Sequence, residues 1–107
     1  MPDLVFSGAT GKTYQYGVLE EGKMPTFFAG NFLFIQMLGT PIIVYAGESE
    51  GIFNTLANSQ LWATAATLYK ATHFCAHINP DEDARKAEQA DLIKKHRPVM
   101  NGPYAPG

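Results

Sequence analysis

Phe32-Leu33-Phe34-Ile35-Gln36-Met37-Leu38, then Gly39-Thr40-Pro41, then Ile42-Ile43-Val44-Tyr45 is the stretch that decides the fold. Two apolar runs of strand length, separated by turn-forming residues, predict two central strands joined by a tight antiparallel connection. Neither run alternates with polar residues, so both are expected to form the floor of a sheet. Gly30-Asn31 leads into the first run and Ala46-Gly47-Glu48-Ser49 leaves the second.

Upstream, Tyr14 to Leu19 has the alternating character of an outer strand, paired with Leu4-Val5-Phe6 across Ser7 to Gly11. Gly8, Gly11 and Lys12 share residue types with a phosphate-binding P-loop. The first glycine lies too close to the second, however, and a strand follows where a helix is needed. A hairpin turn accounts for these residues better. Glu20 to Lys23 is read as a loop.

Downstream, Ile52 to Asn58 and Leu61 to Lys70 are helical by composition, the second with Leu61, Ala65, Leu68 and Tyr69 at helical spacing. Thr72 to Ile78 reads as a further strand. Asn79 is expected to cap the next helix, with Pro80 in its first turn and Asp81, Glu82 and Asp83 complementing the positive end of its dipole. That helix should run to about His96, where Arg97-Pro98 stops it, and an irregular tail is expected from about residue 102. Strands first, then helix, strand and helix, predict an α+β domain with a small, mostly antiparallel sheet flanked by helices.

A length of 107 residues with 46% hydrophobic content describes one globular domain with a modest core. No low-complexity tract or internal repeat is present. The apolar runs are too short to cross a bilayer, and the amino terminus lacks the basic start of a secretory signal. The single cysteine, Cys75, has no internal partner, which suits a reducing cytosol. A cytoplasmic protein is expected, and its small core makes a homodimer plausible.

Acidic residues outnumber basic ones by 10 to 8, giving a net charge of −2. A protein that neutralises phosphates usually carries a basic balance, so the charge argues against a dedicated nucleic-acid binder. Lys94, Lys95, His96 and Arg97 form the one basic cluster, with Arg85 and Lys86 earlier on the same helix. Interaction with the helix C-terminal dipole explains the cluster without a ligand. A patch of Lys94, Lys95 and Arg97 against DNA phosphates is the alternative.

Gly30-Asn31-Phe32, with Tyr45-Ala46-Gly47-Glu48 after it, resembles the core of the GIY-YIG nucleases. In that family one strand ends in glycine-isoleucine-tyrosine, its neighbour in tyrosine-isoleucine-glycine, and an arginine and a glutamate follow on two helices. The resemblance extends from about Tyr14 to Asn101. Asp91 to Pro98 with Asn101 is similar to the family's closing helix and the proline and asparagine after it. Small stand-alone bacterial members are the most similar, through Ala71-Thr72-His73 and His77 to Glu82.

The resemblance implies a set of cooperating parts. A tyrosine deprotonates the attacking water, an arginine steadies the phosphate, and a glutamate holds a divalent cation, Mg²⁺ or Mn²⁺. Carried over position by position, the first tyrosine falls at Phe32, which lacks the hydroxyl, and the second at Tyr45, which is retained. The arginine falls at Thr55, a downstream histidine near Ser59, and the metal-binding glutamate at Gln89, whose amide is a poor ligand for a hard cation. Glu88 is a fallback carboxylate if the helix register shifts by one, and Glu48 and Asp91 are further acids, most simply read as solvated.

His73, Cys75 and His77 alternate along one strand and so share a face, and imidazole and thiolate are good ligands for zinc. A closed site wants a fourth ligand, for which His96 is the one remaining histidine. The favoured account is a half-buried edge face on which the histidines bond to neighbours and Cys75 packs as a small hydrophobe. Hydrolysis through a Cys75 thiolate is disfavoured because the residue sits inside an apolar strand. Trp62, Phe27 and Phe28 could stack on bases, but suit a core better.

These readings lead to a GIY-YIG-like scaffold that has lost its catalyst and acts as a binding or interaction module, needing no cofactor. Two alternatives stand beside it. One is a metal-dependent endonuclease using Tyr45 with Glu88 or Glu48. The other is a DNA-binding protein that does not cleave.

Overall fold

The computed structural model describes residues 3–19, 29–51 and 60–104. Five strands form one antiparallel sheet: β1 (Leu4–Ser7), β2 (Thr13–Leu19), β3 (Gly30–Gln36), β4 (Ile42–Ser49) and β5 (His73–Ile78). Among the described residues, two helices, α1 (Leu61–Leu68) and α2 (Glu82–His96), and a 3-10 turn (Val99–Asn101) accompany the sheet of this α+β domain. The expected helix over Ile52 to Asn58 and the loop over Glu20 to Lys23 lie outside the described residues.

The strand order is β1-β2-β5-β3-β4. β3 is central, as its unbroken apolar run requires: Phe32, Leu33, Phe34 and Ile35 are all at most 1% exposed. β4, expected to be central, is an edge strand. β5, expected at an edge, is interior, pairing with both β2 and β3. After the β3–β4 hairpin and α1, the chain returns as β5 to the free side of β3.

Alternation on β3 divides the core in two. Phe32 and Phe34 point to the face covered by α1, where they meet Phe74, Ala76 and Ala65. Leu33 and Ile35 point to the face covered by α2, where they meet Cys75, Tyr16 and Leu92. A bulge sits where the register jumps from Phe34↔Tyr45 to Ile35↔Ile43, leaving Val44 as the extra residue. It places Val44 and Tyr45 consecutively on the α1 side. On α1, Ala65 is buried and Leu61 and Trp62 pack against the core, whereas Leu68 is 70% exposed and Tyr69 lies beyond the helix end. The apolar stripe of α1 is therefore Leu61, Trp62 and Ala65.

Two turns need glycine. Gly11, in the hairpin between β1 and β2, has φ +88°, and Gly39, between β3 and β4, has φ +124°. The cap of α2 is Asp81, not Asn79: its carboxylate accepts from the backbone N–H of Asp83 at 3.0 Å and of Ala84 at 3.4 Å. Asn79 instead donates to Asn31 Oδ1 at 3.0 Å, inside the sheet-to-helix interface. α2 ends at Arg97, whose φ of 45° is left-handed, immediately before Pro98. No helix among the described residues is long and apolar enough to cross a membrane.

Candidate functional site

Phe32 is 1% exposed, its ring 5.7 Å from that of Phe34 and 5.9 Å from those of Tyr45 and Phe74. Across the strand pair it lies over Gly47, where a Cβ would come within 2.3 Å of the Phe32 ring tip. Gly47 is thus a glycine because Phe32 occupies its face. Tyr45 is half-buried on the same side, its ring 5.5 Å from Phe34. Burial raises its hydroxyl pKa, and the charge of Glu48 acts in the same direction. Both effects oppose the tyrosinate that a proton-abstracting tyrosine approaches. Thr55 and Ser59 lie outside the described residues.

Gln89 comes from the other side of the sheet. Its Nε2 donates to the backbone carbonyl of Ala46 at 3.1 Å. Asn101 engages the same residue twice: its Oδ1 accepts from Ala46 N–H at 2.8 Å and its Nδ2 donates to Ala46 C=O at 3.0 Å. The Gln89 side chain is thus a donor to backbone.

Glu88 points elsewhere. One of its oxygens accepts from the Tyr16 hydroxyl on β2 and lies 2.6 Å from His77 Nε2 on β5. The other ring nitrogen of His77, Nδ1, is 3.0 Å from the Ile78 carbonyl. The Ile78 carbonyl can only accept, so Nδ1 carries a proton, and Nε2 faces the Glu88 oxygen. The bond to Glu88 raises the His77 pKa, outweighing the opposing effect of burial. Tyr16 is fully buried, and desolvation followed by the Glu88 bond pushes its pKa far up. Tyr45 and Glu88 therefore stand on opposite faces of the sheet.

Arg85, 2% exposed, donates through Nε to Glu48 at 3.0 Å and through Nη1 to the carbonyls of Asn79 at 3.2 Å and Pro80 at 3.0 Å. Buried Asn31 donates to the Arg85 carbonyl at 2.9 Å. Glu48 is thus an ion-pair partner and not a solvated acid.

Asp91 is a clamp as well. It accepts from Thr10 N at 2.9 Å, Thr10 Oγ1 at 2.7 Å and the Tyr14 hydroxyl at 2.7 Å. Those bonds, the Thr10 hydroxyl first and Tyr14 second, hold its carboxyl below the usual aspartate range. Burial and the Asp91 bond push Tyr14 up to about 12. Gly8 makes room, since a Cβ there would lie 1.9 Å from an Asp91 oxygen. The P-loop-like glycines serve a hairpin held by a helix.

His73, Cys75 and His77 do share the α2 face, but separately. His73 Nδ1 bonds to the Thr72 hydroxyl at 2.7 Å, His77 is taken by Glu88, and Cys75 is wholly buried, its thiol pushed up to about 12 by desolvation. His96 Nε2 lies 2.8 Å from the Ser7 carbonyl. No group of three or more His, Cys, Asp or Glu among the described residues is placed to hold a metal ion. Lys94 and Lys95 are exposed at the end of α2, and Arg97 stacks 4.8 Å over the Tyr104 ring. Trp62 packs edge-on to Phe34 at 5.2 Å, so it is core; Phe27 and Phe28 lie outside the described residues.

Arg85, Glu88 and Asp91 recur every three residues on α2, a pattern that reads as a solvated face and is the buried one. Its signal in the sequence is on β2, where Tyr14 and Tyr16 place two hydroxyl donors on the face that α2 covers. Among the described residues no buried side-chain nitrogen or oxygen lacks a hydrogen-bond partner. Comparison with protein-family models, curated proteins and solved structures found no match to this chain.

Proposed function

We propose that this chain is a GIY-YIG-like domain that does not cleave nucleic acid and serves as a binding or interaction module. The observation that carries this reading is Gln89: a neutral carboxamide, held by one Nε2–H donated to Ala46 C=O, stands where nuclease chemistry needs a carboxylate for a cation. Three further placements support it. Phe32 supplies no hydroxyl and is enclosed by aromatic rings. Glu88 is bound to Tyr16 and His77 on the face opposite Tyr45. Glu48 is bound to Arg85. The order of hairpin, helix, strand and helix fits the family scaffold from which these positions were read.

Duplex, branched and single-stranded DNA incubated with the protein and Mg²⁺ or Mn²⁺ should remain uncut. Cation-dependent cleavage that disappears in Tyr45→Phe would overturn the proposal. The exposed Lys94 and Lys95 keep DNA binding without cleavage as the second reading. It predicts salt-sensitive anisotropy changes that charge reversal at these two lysines removes. An unchanged signal with either variant counts against it.

A further inference from the structure

β4 is an edge strand whose residues Ile42 to Gly47 carry no charge and no proline. Such an edge pairs readily with another strand unless something covers it. Ala46 turns its N–H and C=O away from β3, and both are occupied by the carboxamide of Asn101, at 2.8 and 3.0 Å. In an antiparallel pair, two directly opposed residues exchange both N–H···O bonds. The Asn101 side chain, one acceptor and one donor in a plane, reproduces that exchange. The 3-10 turn that carries it lies against β4, and Gln89 adds a second donor to the same carbonyl.

We propose that Asn101 acts as a surrogate strand that closes the β4 edge, and that the occupant it excludes is β4 of a second copy of this chain. The register favours self-pairing. Antiparallel pairing centred on Ala46 brings Ala46 opposite its own counterpart, Tyr45 opposite Gly47 and Val44 opposite Glu48. No like charges then face each other, and each Ala46 recovers the two bonds that Asn101 supplied. The C-terminal turn is in this account an edge guard that sets the oligomeric state.

Asn101→Ala, checked for folding by circular dichroism, is compared with the wild type by sedimentation velocity over a wide concentration range. Loss of two guarding bonds should make self-association at least about tenfold tighter. Adding Ala46→Pro, which removes the outward N–H on an edge that tolerates proline, should return the variant to the wild-type mass. Asn101→Asp keeps the size but turns an oxygen toward Ala46 C=O, so it too should self-associate at neutral pH. A folded Asn101→Ala or Asn101→Asp with wild-type sedimentation overturns the proposal. Should neither variant fold, hydrogen exchange of the wild type decides: a protected Ala46 amide supports the guard, and one exchanging like a free edge amide refutes it.

Discussion

Glu88→Ala is expected to cost the fold about 3 kcal/mol, the upper end of the range for leaving a buried donor unsatisfied. The Glu88 side chain is 6% exposed and that of His77 27%, so the pair is open to solvent on the His77 side. The substitution leaves the fully buried Tyr16 hydroxyl without its acceptor and removes the partner that raises the His77 pKa. Glu88→Gln, which keeps the shape and an acceptor for Tyr16 but not the charge, should cost less. Urea unfolding of the three proteins checks this order. The wild type should also lose stability as pH rises. His77 binds its proton more tightly in the folded chain than at the ordinary value of 6.5, so its contribution is complete below that value and fades as pH climbs through the raised one. The loss should be absent in His77→Gln. Asp91 acts at the other end: its lowered pKa contributes stability above the usual aspartate range, lost as pH falls through the depressed value.

The second large effect belongs to Glu48. Its partner Arg85 is 2% exposed and cannot give up its charge. Glu48→Ala should cost about 3 kcal/mol, the lower end of the range for breaking a buried ion pair by removing one partner, because the Asn79 and Pro80 carbonyls still accept from the guanidinium. A double-mutant cycle with Arg85→Met tests the mechanism. The double variant should be less destabilised than the sum of the singles by about 1–3 kcal/mol, since the second change removes the orphaned charge. Strict additivity would mean that the pair is not coupled.

Much of the architecture is legible along the chain. Hydrophobic period and turn residues place all five strands within a few residues, because apolar runs and glycine turns are local signals. The sheet order is not local: that β5 lies beside β3 and β4 at the edge depends on where the chain returns. Asn79 and Asp81 are both good capping residues, and only the backbone decides that Asp81 caps while Asn79 turns to Asn31. The candidate site follows the same division. Residue types at Phe32, Tyr45 and Gln89 are visible in the sequence. The burial of Arg85, Glu88 and Asp91 is not, because a charged helix face reads as solvated until the Tyr14 and Tyr16 hydroxyls, the Arg85–Glu48 pair and the Thr10 turn are set against it.

The most direct test of the claim that the site holds no catalytic cation is a Mn²⁺ titration followed by amide NMR. No selective broadening is expected at Tyr45, Ala46, Glu88 or Gln89. Saturable broadening centred on those residues would contradict it and return the nuclease reading to first place.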